Sequence, residues 1–142
     1  MKCALLLLTL ITTFGCAKAE YRFEQIGGAQ PVTLPLKFGG LYGIRDGAQV
    51  KVEGRFADGN DAVTMNAVLF LRPPAEFQSG NYEAVIGGKK TTGSVECPSL
   101  TFQGGQTALP TVGGVFILKD ETNRPLYRIT IPAAQLLRRS GL

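Results

Sequence analysis

Residues 48–57, AQVKVEGRFA, alternate with a period of two: Val50, Val52 and Phe56 fall on one side, Lys51, Glu53 and Arg55 on the other. A helix would not segregate these side chains, whereas an extended chain puts successive residues on opposite faces. The segment is therefore expected to be a half-buried strand with a charged outer face. Asp58-Gly59-Asn60-Asp61 follows at once, and its residue types suit a reversing turn. Residues 62–72, AVTMNAVLFLR, then resume an extended and more apolar pattern. The two runs are expected to pair as a hairpin.

Short pieces of the same kind recur between glycines and prolines. Pro73-Pro74 ends the second strand, because proline cannot donate to a ladder. Ser79-Gly80-Asn81 reads as a turn, residues 82–86 (YEAVI) as a strand and Gly87-Gly88-Lys89-Lys90 as its close. Residues 93–102 (GSVECPSLTF) place Val95 and Cys97 on one face and lose register at Pro98, which predicts a bulge or an edge strand. Residues 115–119 (VFILK) and 126–131 (LYRITI) predict a last hairpin across residues 120–125. Residues 133–139 (AAQLLRR) read as one or two helical turns. Residues 21–26 (YRFEQI) predict a first strand and 31–36 (PVTLPL) an extended stretch. Segments 37–47 and 103–114 read as loops, with Tyr42 beside Gly39, Gly40 and Gly43 as the aromatic most open to solvent.

Seven to eight short strands at spacings of about 8–12 residues predict an all-β fold. The expected form is an antiparallel β-sandwich, Ig-like or jelly-roll-like in architecture only, since the Ig cysteine pair and tryptophan are missing.

The N-terminus carries a different signal. Met1 and Lys2 precede an uncharged apolar run over residues 4–14. Such a run matches the roughly 7–15 apolar residues of a secretory signal and falls short of the about 20 needed to span a bilayer. Ala17-Lys18-Ala19 fits a small-x-small cleavage site, giving a signal peptide over 1–19 and one β domain over 20–142. Thr13-Phe14-Gly15-Cys16 resembles a bacterial lipobox, with Gly15 before Cys16 as the pattern has it and Phe14 where a small residue is usual. The resemblance implies cleavage before Cys16 and lipid attachment at Cys16. Ala17 as the next residue implies outer-membrane sorting.

Processing changes the composition that matters. The whole chain is +4, but losing Lys2 and Lys18 leaves 13 basic against 11 acidic residues, a net of +2, and keeping Lys18 gives +3. No basic cluster exceeds two residues, so a nucleic-acid partner is not expected. Of three cysteines only Cys97 lies in the β domain. No internal disulfide is then possible, and the thiol is expected to be a small buried apolar group.

The chain has no histidine. That removes serine and cysteine nucleophiles that rely on an imidazole base, and histidine-based zinc sites. Phosphate-loop and nucleophile-elbow motifs are missing as well. Asp58-Gly59-Asn60-Asp61 offers oxygens to calcium but lacks EF-hand spacing. Asp46, Asp58, Asp61, Asp120 and Glu121 belong to turns and Glu53, Glu83 and Glu96 to strands, and nothing in the sequence pairs two of them for acid-base work. Phe77, Tyr82, Phe102, Phe116 and Tyr127 read as core aromatics before they read as a binding face.

The expectation is a non-catalytic exported envelope protein, periplasmic or anchored at the outer membrane rather than fully secreted. It would act as an accessory, assembly or binding factor with a protein partner, without cofactor or metal. In size it is similar in outline to secretion pilotins. Alternatives are an enzyme inhibitor or ligand-binding β module, and, more remotely, a histidine-free hydrolase. Strand pairing at an exposed edge is one binding mode open to such a domain, and the segment around Pro98 is a candidate edge.

Overall fold

The structure, a computed structural model, describes residues 20–71, 75–104 and 109–138. Residues 1–19, the expected signal segment with Cys16, and Pro73-Pro74 lie outside the described residues. The period-two rule read at residues 48–57 extends through the chain. β4 (Gln49–Asp58) and β5 (Asp61–Phe70) form the expected hairpin, paired from Gln49–Phe70 to Asp58–Asp61. Their inward residues Val50, Val52, Phe56, Val63, Met65 and Leu69 are all buried. At the turn Gly59 takes φ 60°, a left-handed conformation that a Cβ disfavours.

The remaining strands are β1 (Arg22–Gln25), β2 (Val32–Thr33), β3 (Lys37–Asp46), β6 (Glu76–Ile86), β7 (Lys89–Gln103), β8 (Thr111–Asp120), β9 (Pro125–Gln135) and β10 (Leu137–Arg138). The chain is all-β, as the alternation requires, and no helix occurs among the described residues. All ten strands join one mixed sheet in the order β10-β3-β4-β5-β6-β7-β8-β9-β1-β2. Two separate facing sheets, as a sandwich would have, are not seen. From β3 to β9 the path is an antiparallel meander in which each strand pairs with the next.

The sheet curls on itself. β9 runs through Leu136 into β10, which lies parallel to β3 with Leu137 opposite Tyr42 and Arg138 opposite Gly43. Leu136 packs over Gly43 there: a Cβ would stand 2.9 Å from Leu136 Cδ1, which would have to shift. The expected helical turns at 133–139 are thus corrected to strand, because these residues carry on the ladder to β8 and then bridge to β3 (Arg139 itself lies outside the described residues). At the other end β1 pairs with β9 and leans across to β3 and β4. Tyr21 stacks on Phe38 at 5.6 Å and on Phe56 at 6.1 Å, and Phe23 meets Phe56 and Tyr127, each at 5.7 Å. The Tyr21 hydroxyl donates to the Leu36 carbonyl at 2.8 Å.

One core fills the curl, with buried side chains from β1 and from every strand between β3 and β9. Two further expectations are corrected. The 37–47 loop is β3, whose glycines allow close packing rather than flexibility. The turn at Ser79-Gly80-Asn81 lies inside β6, where Asn81 pairs with both Asn66 and Ser94.

Candidate functional site

β6 and β7 pair only from Asn81–Ser94 to Ile86–Lys89. Beyond that point both strands continue, but apart. β6 runs back to Glu76 paired with β5 alone, and β7 runs on to Gln103 paired with β8 alone. Each strand carries a bulge where they part. In β6 the partners step from Ser79–Val68 to Phe77–Leu69, leaving Gln78 extra. In β7 they step from Glu96–Ile117 to Ser99–Val115, so Cys97 and Pro98 face the single residue Phe116. A bulge bends its strand and increases the local twist. Two bulges at the same level account for the split. Pro98 contributes directly, because it has no N–H to keep the ladder regular.

The consequence is an open edge. Over residues 95–103 the backbone groups of β7 that turn away from β8 meet no strand among the described residues. Of the expected bulge or edge strand at Pro98, the bulge is seen, facing β8. β7 is an interior strand of the sheet, and only its β6 side is left unpaired past Ser94 among the described residues.

Side chains partly fill the gap. Val95 is buried, and Phe77, Cys97 and Leu100 are half-buried against the core. They floor a groove of about 430 Å³. At its rim Lys119 Nζ lies 3.3 Å from Glu96 Oε1, while Glu76 is exposed. The Cys97 thiol donates to the Ser99 carbonyl at 3.3 Å, and burial pushes its pKa up to about 11. At neutral pH it is a thiol and a poor nucleophile.

The other residues singled out in the sequence take structural places. Tyr42 stands on β3, half-buried, with the Arg55 guanidinium 4.2 Å from its ring centre and Arg55 in turn 2.6 Å from Glu53. Tyr82, Phe116 and Tyr127 are core residues, and Phe102 is half-buried against the core. Asp61 accepts a hydrogen bond from the Gly87 amide at 3.0 Å, tying two turns together. Asp120 accepts from the Thr122 and Arg124 amides and from the Thr122 hydroxyl, which lowers its pKa and shapes the β8–β9 turn. Glu53, Glu83 and Glu96 pair with Arg55, Lys90 and Lys119, not with one another. Among the described residues no cluster of acids and cysteine is arranged to hold a metal, and no helix is long and apolar enough to cross a membrane.

Sequence reasoning missed the β6 wall of the groove, Glu76–Gly80. The one signal for it was a glycine bracketed by polar residues, which fits a close backbone approach inside a strand as well as it fits a turn. Comparison with family models, with curated proteins and with solved structures finds no match.

Proposed function

We propose that this chain is a non-catalytic exported envelope protein that accepts an extended segment of a partner protein as an added strand along residues 95–103 of β7. It works in the periplasm or, with Cys16 lipidated, at the outer membrane, as an accessory or assembly factor. The observation that carries the reading is the unpaired edge beside a groove with an apolar floor and a polar rim. Unmet backbone donors and acceptors give affinity to any extended chain, and pockets between them give selectivity. The pairing of the strand glutamates with cations, and the raised Cys97 pKa, support binding over catalysis.

A photoreactive benzoylphenylalanine in place of Leu100, in the exporting cell, tests this. Adducts with a discrete envelope protein from that position, and none from Lys51 on the far face, are expected. Equal capture from both positions, or none from either, would contradict the reading. Replacing Cys16 with Ala and following detergent partitioning tests the anchor separately. A protein that stays in the aqueous phase before and after the change is not lipidated.

A second reading, a small-ligand-binding β module, draws on a trough of about 470 Å³ across β7, β8 and β9. Ser99, Thr101, Thr111 and Thr130 line it with Val115 and Pro132, a neutral mixture of hydroxyl and apolar surface.

A further inference from the structure

The edge carries information about its guest. Resting on the strand-addition reading, we infer that the guest is a segment of about five or six residues that alternates apolar with cationic side chains. Its length follows from the walls. Beyond the last β6–β7 pair, Asn81–Ser94, β6 continues for the five residues Glu76–Gly80 and β7 for the nine residues Val95–Gln103. The shorter wall sets the length, since five extended residues cover roughly 17 Å at about 3.3 Å each.

Its pattern follows from the two faces of the sheet. A strand laid along β7 sends alternate side chains inward and outward. The inward set meets Phe77, Val95 and Leu100, which pack against the core. Charged groups there would lose water without a partner, so the inward set is apolar.

The outward set meets the rim, where the charged groups are Glu76, Glu96 and Lys119. Lys119 is already matched by Glu96 at 3.3 Å and its side chain is only 17% exposed. Glu76 is exposed and has no ion pair among the described residues. Among the described residues the rim thus keeps one unmatched negative charge. A lysine or arginine on the guest answers it, and an acidic side chain in the same place is repelled. Selectivity then comes as much from rejecting acidic strands as from attracting basic ones.

Six-residue peptides alternating Val with Lys, Val with Glu or Val with Ser, each bearing a fluorophore, test the inference by anisotropy against the protein purified from the envelope. The Lys peptide is expected to bind about tenfold more tightly than the Glu peptide at low salt, the scale of one or two exposed charge pairs. Added salt should close the gap. Glu76→Lys should reverse the order while leaving the Ser peptide unchanged. Equal binding of Lys and Glu peptides, or an order that Glu76→Lys does not alter, overturns the charge rule and leaves strand addition standing. Binding of none of the three, with adducts still formed from position 100, also overturns the rule alone. Binding of none and no adducts removes both readings.

Discussion

Gly80 of β6 lies against Val95 of β7 at the point where the two strands part: a Cβ on Gly80 would come within 3.0 Å of the Val95 Cβ and 2.6 Å of the Asn66 carbonyl oxygen. The backbone oxygen cannot move without breaking the β5–β6 ladder. Gly80→Ala is therefore expected to destabilise the fold by about 1–3 kcal/mol, the usual scale of overpacking. Denaturant unfolding of the variant measures it. A change within about 0.5 kcal/mol, as at an ordinary surface site, would mean the crotch of the split is looser than described.

The Glu24–Arg128 pair makes stability depend on acid. Arg128 Nε lies 3.0 Å from Glu24 Oε1, and the Glu24 side chain is only 10% exposed. The hydrogen bond from Arg128 is the largest cause of a Glu24 pKa below the ordinary carboxylate value. A depressed folded pKa gives stability that is present above the unfolded pKa and is lost as pH falls through the folded one. Glu24→Gln should therefore flatten the acid limb of the stability profile. Arg128→Met, which strands the carboxylate, should cost more at neutral pH, about 1–3 kcal/mol. Parallel acid limbs for wild type and Glu24→Gln would refute this.

Tyr82 presents the opposite case. Its hydroxyl is buried and has no hydrogen-bond partner among the described residues. Removing an unsatisfied group removes its desolvation penalty, so Tyr82→Phe should be neutral or stabilise by up to about 1 kcal/mol. Burial pushes the pKa of Tyr82, and of Tyr21, up to about 12. Stability from a raised pKa is present below the unfolded value of about 10 and is lost as pH rises towards the folded one. The Tyr82→Phe variant should lose less stability between pH 10 and 12 than wild type does. A variant less stable than wild type at pH 7 would show that the hydroxyl has a partner.

Cys97 should be slow towards disulfide reagents at neutral pH. With burial holding its pKa at about 11, the thiolate fraction, and with it the rate, should rise about tenfold per pH unit towards that value. Rapid, pH-independent labelling of the folded protein near pH 7 would place the thiol in a different environment.

What could be read in advance follows from how local each signal is. The β4–β5 hairpin was legible because Val50, Val52 and Phe56 alternate and Asp58–Asp61 turn. The bulge at Cys97-Pro98 was legible because proline disrupts a ladder whatever surrounds it. β3 was not, since Gly39, Gly40 and Gly43 resemble a flexible loop until Leu136 is seen packed over Gly43. The end of β9 looked helical because Ala133, Ala134, Leu136 and Leu137 also fit helical spacing, and only the ladder to β8 and the bridge to β3 decide otherwise. Half of the candidate site was visible for the same reason. The β7 edge carries its own proline, whereas the β6 wall becomes a wall only through the distant partners of Gly80.

The open edge is most directly tested by amide hydrogen exchange on the protein alone and on its adduct captured from position 100. In the free protein the ladder amides of Lys89–Ser94 should be protected, while those of Ser99–Gln103 that face away from β8 exchange freely. In the adduct the same open amides should slow by roughly 100-fold, an order expected of a strand held by a few kcal/mol. Uniform protection across β7 in the free protein, or unchanged exchange at Ser99–Gln103 in the adduct, would contradict strand addition at this edge.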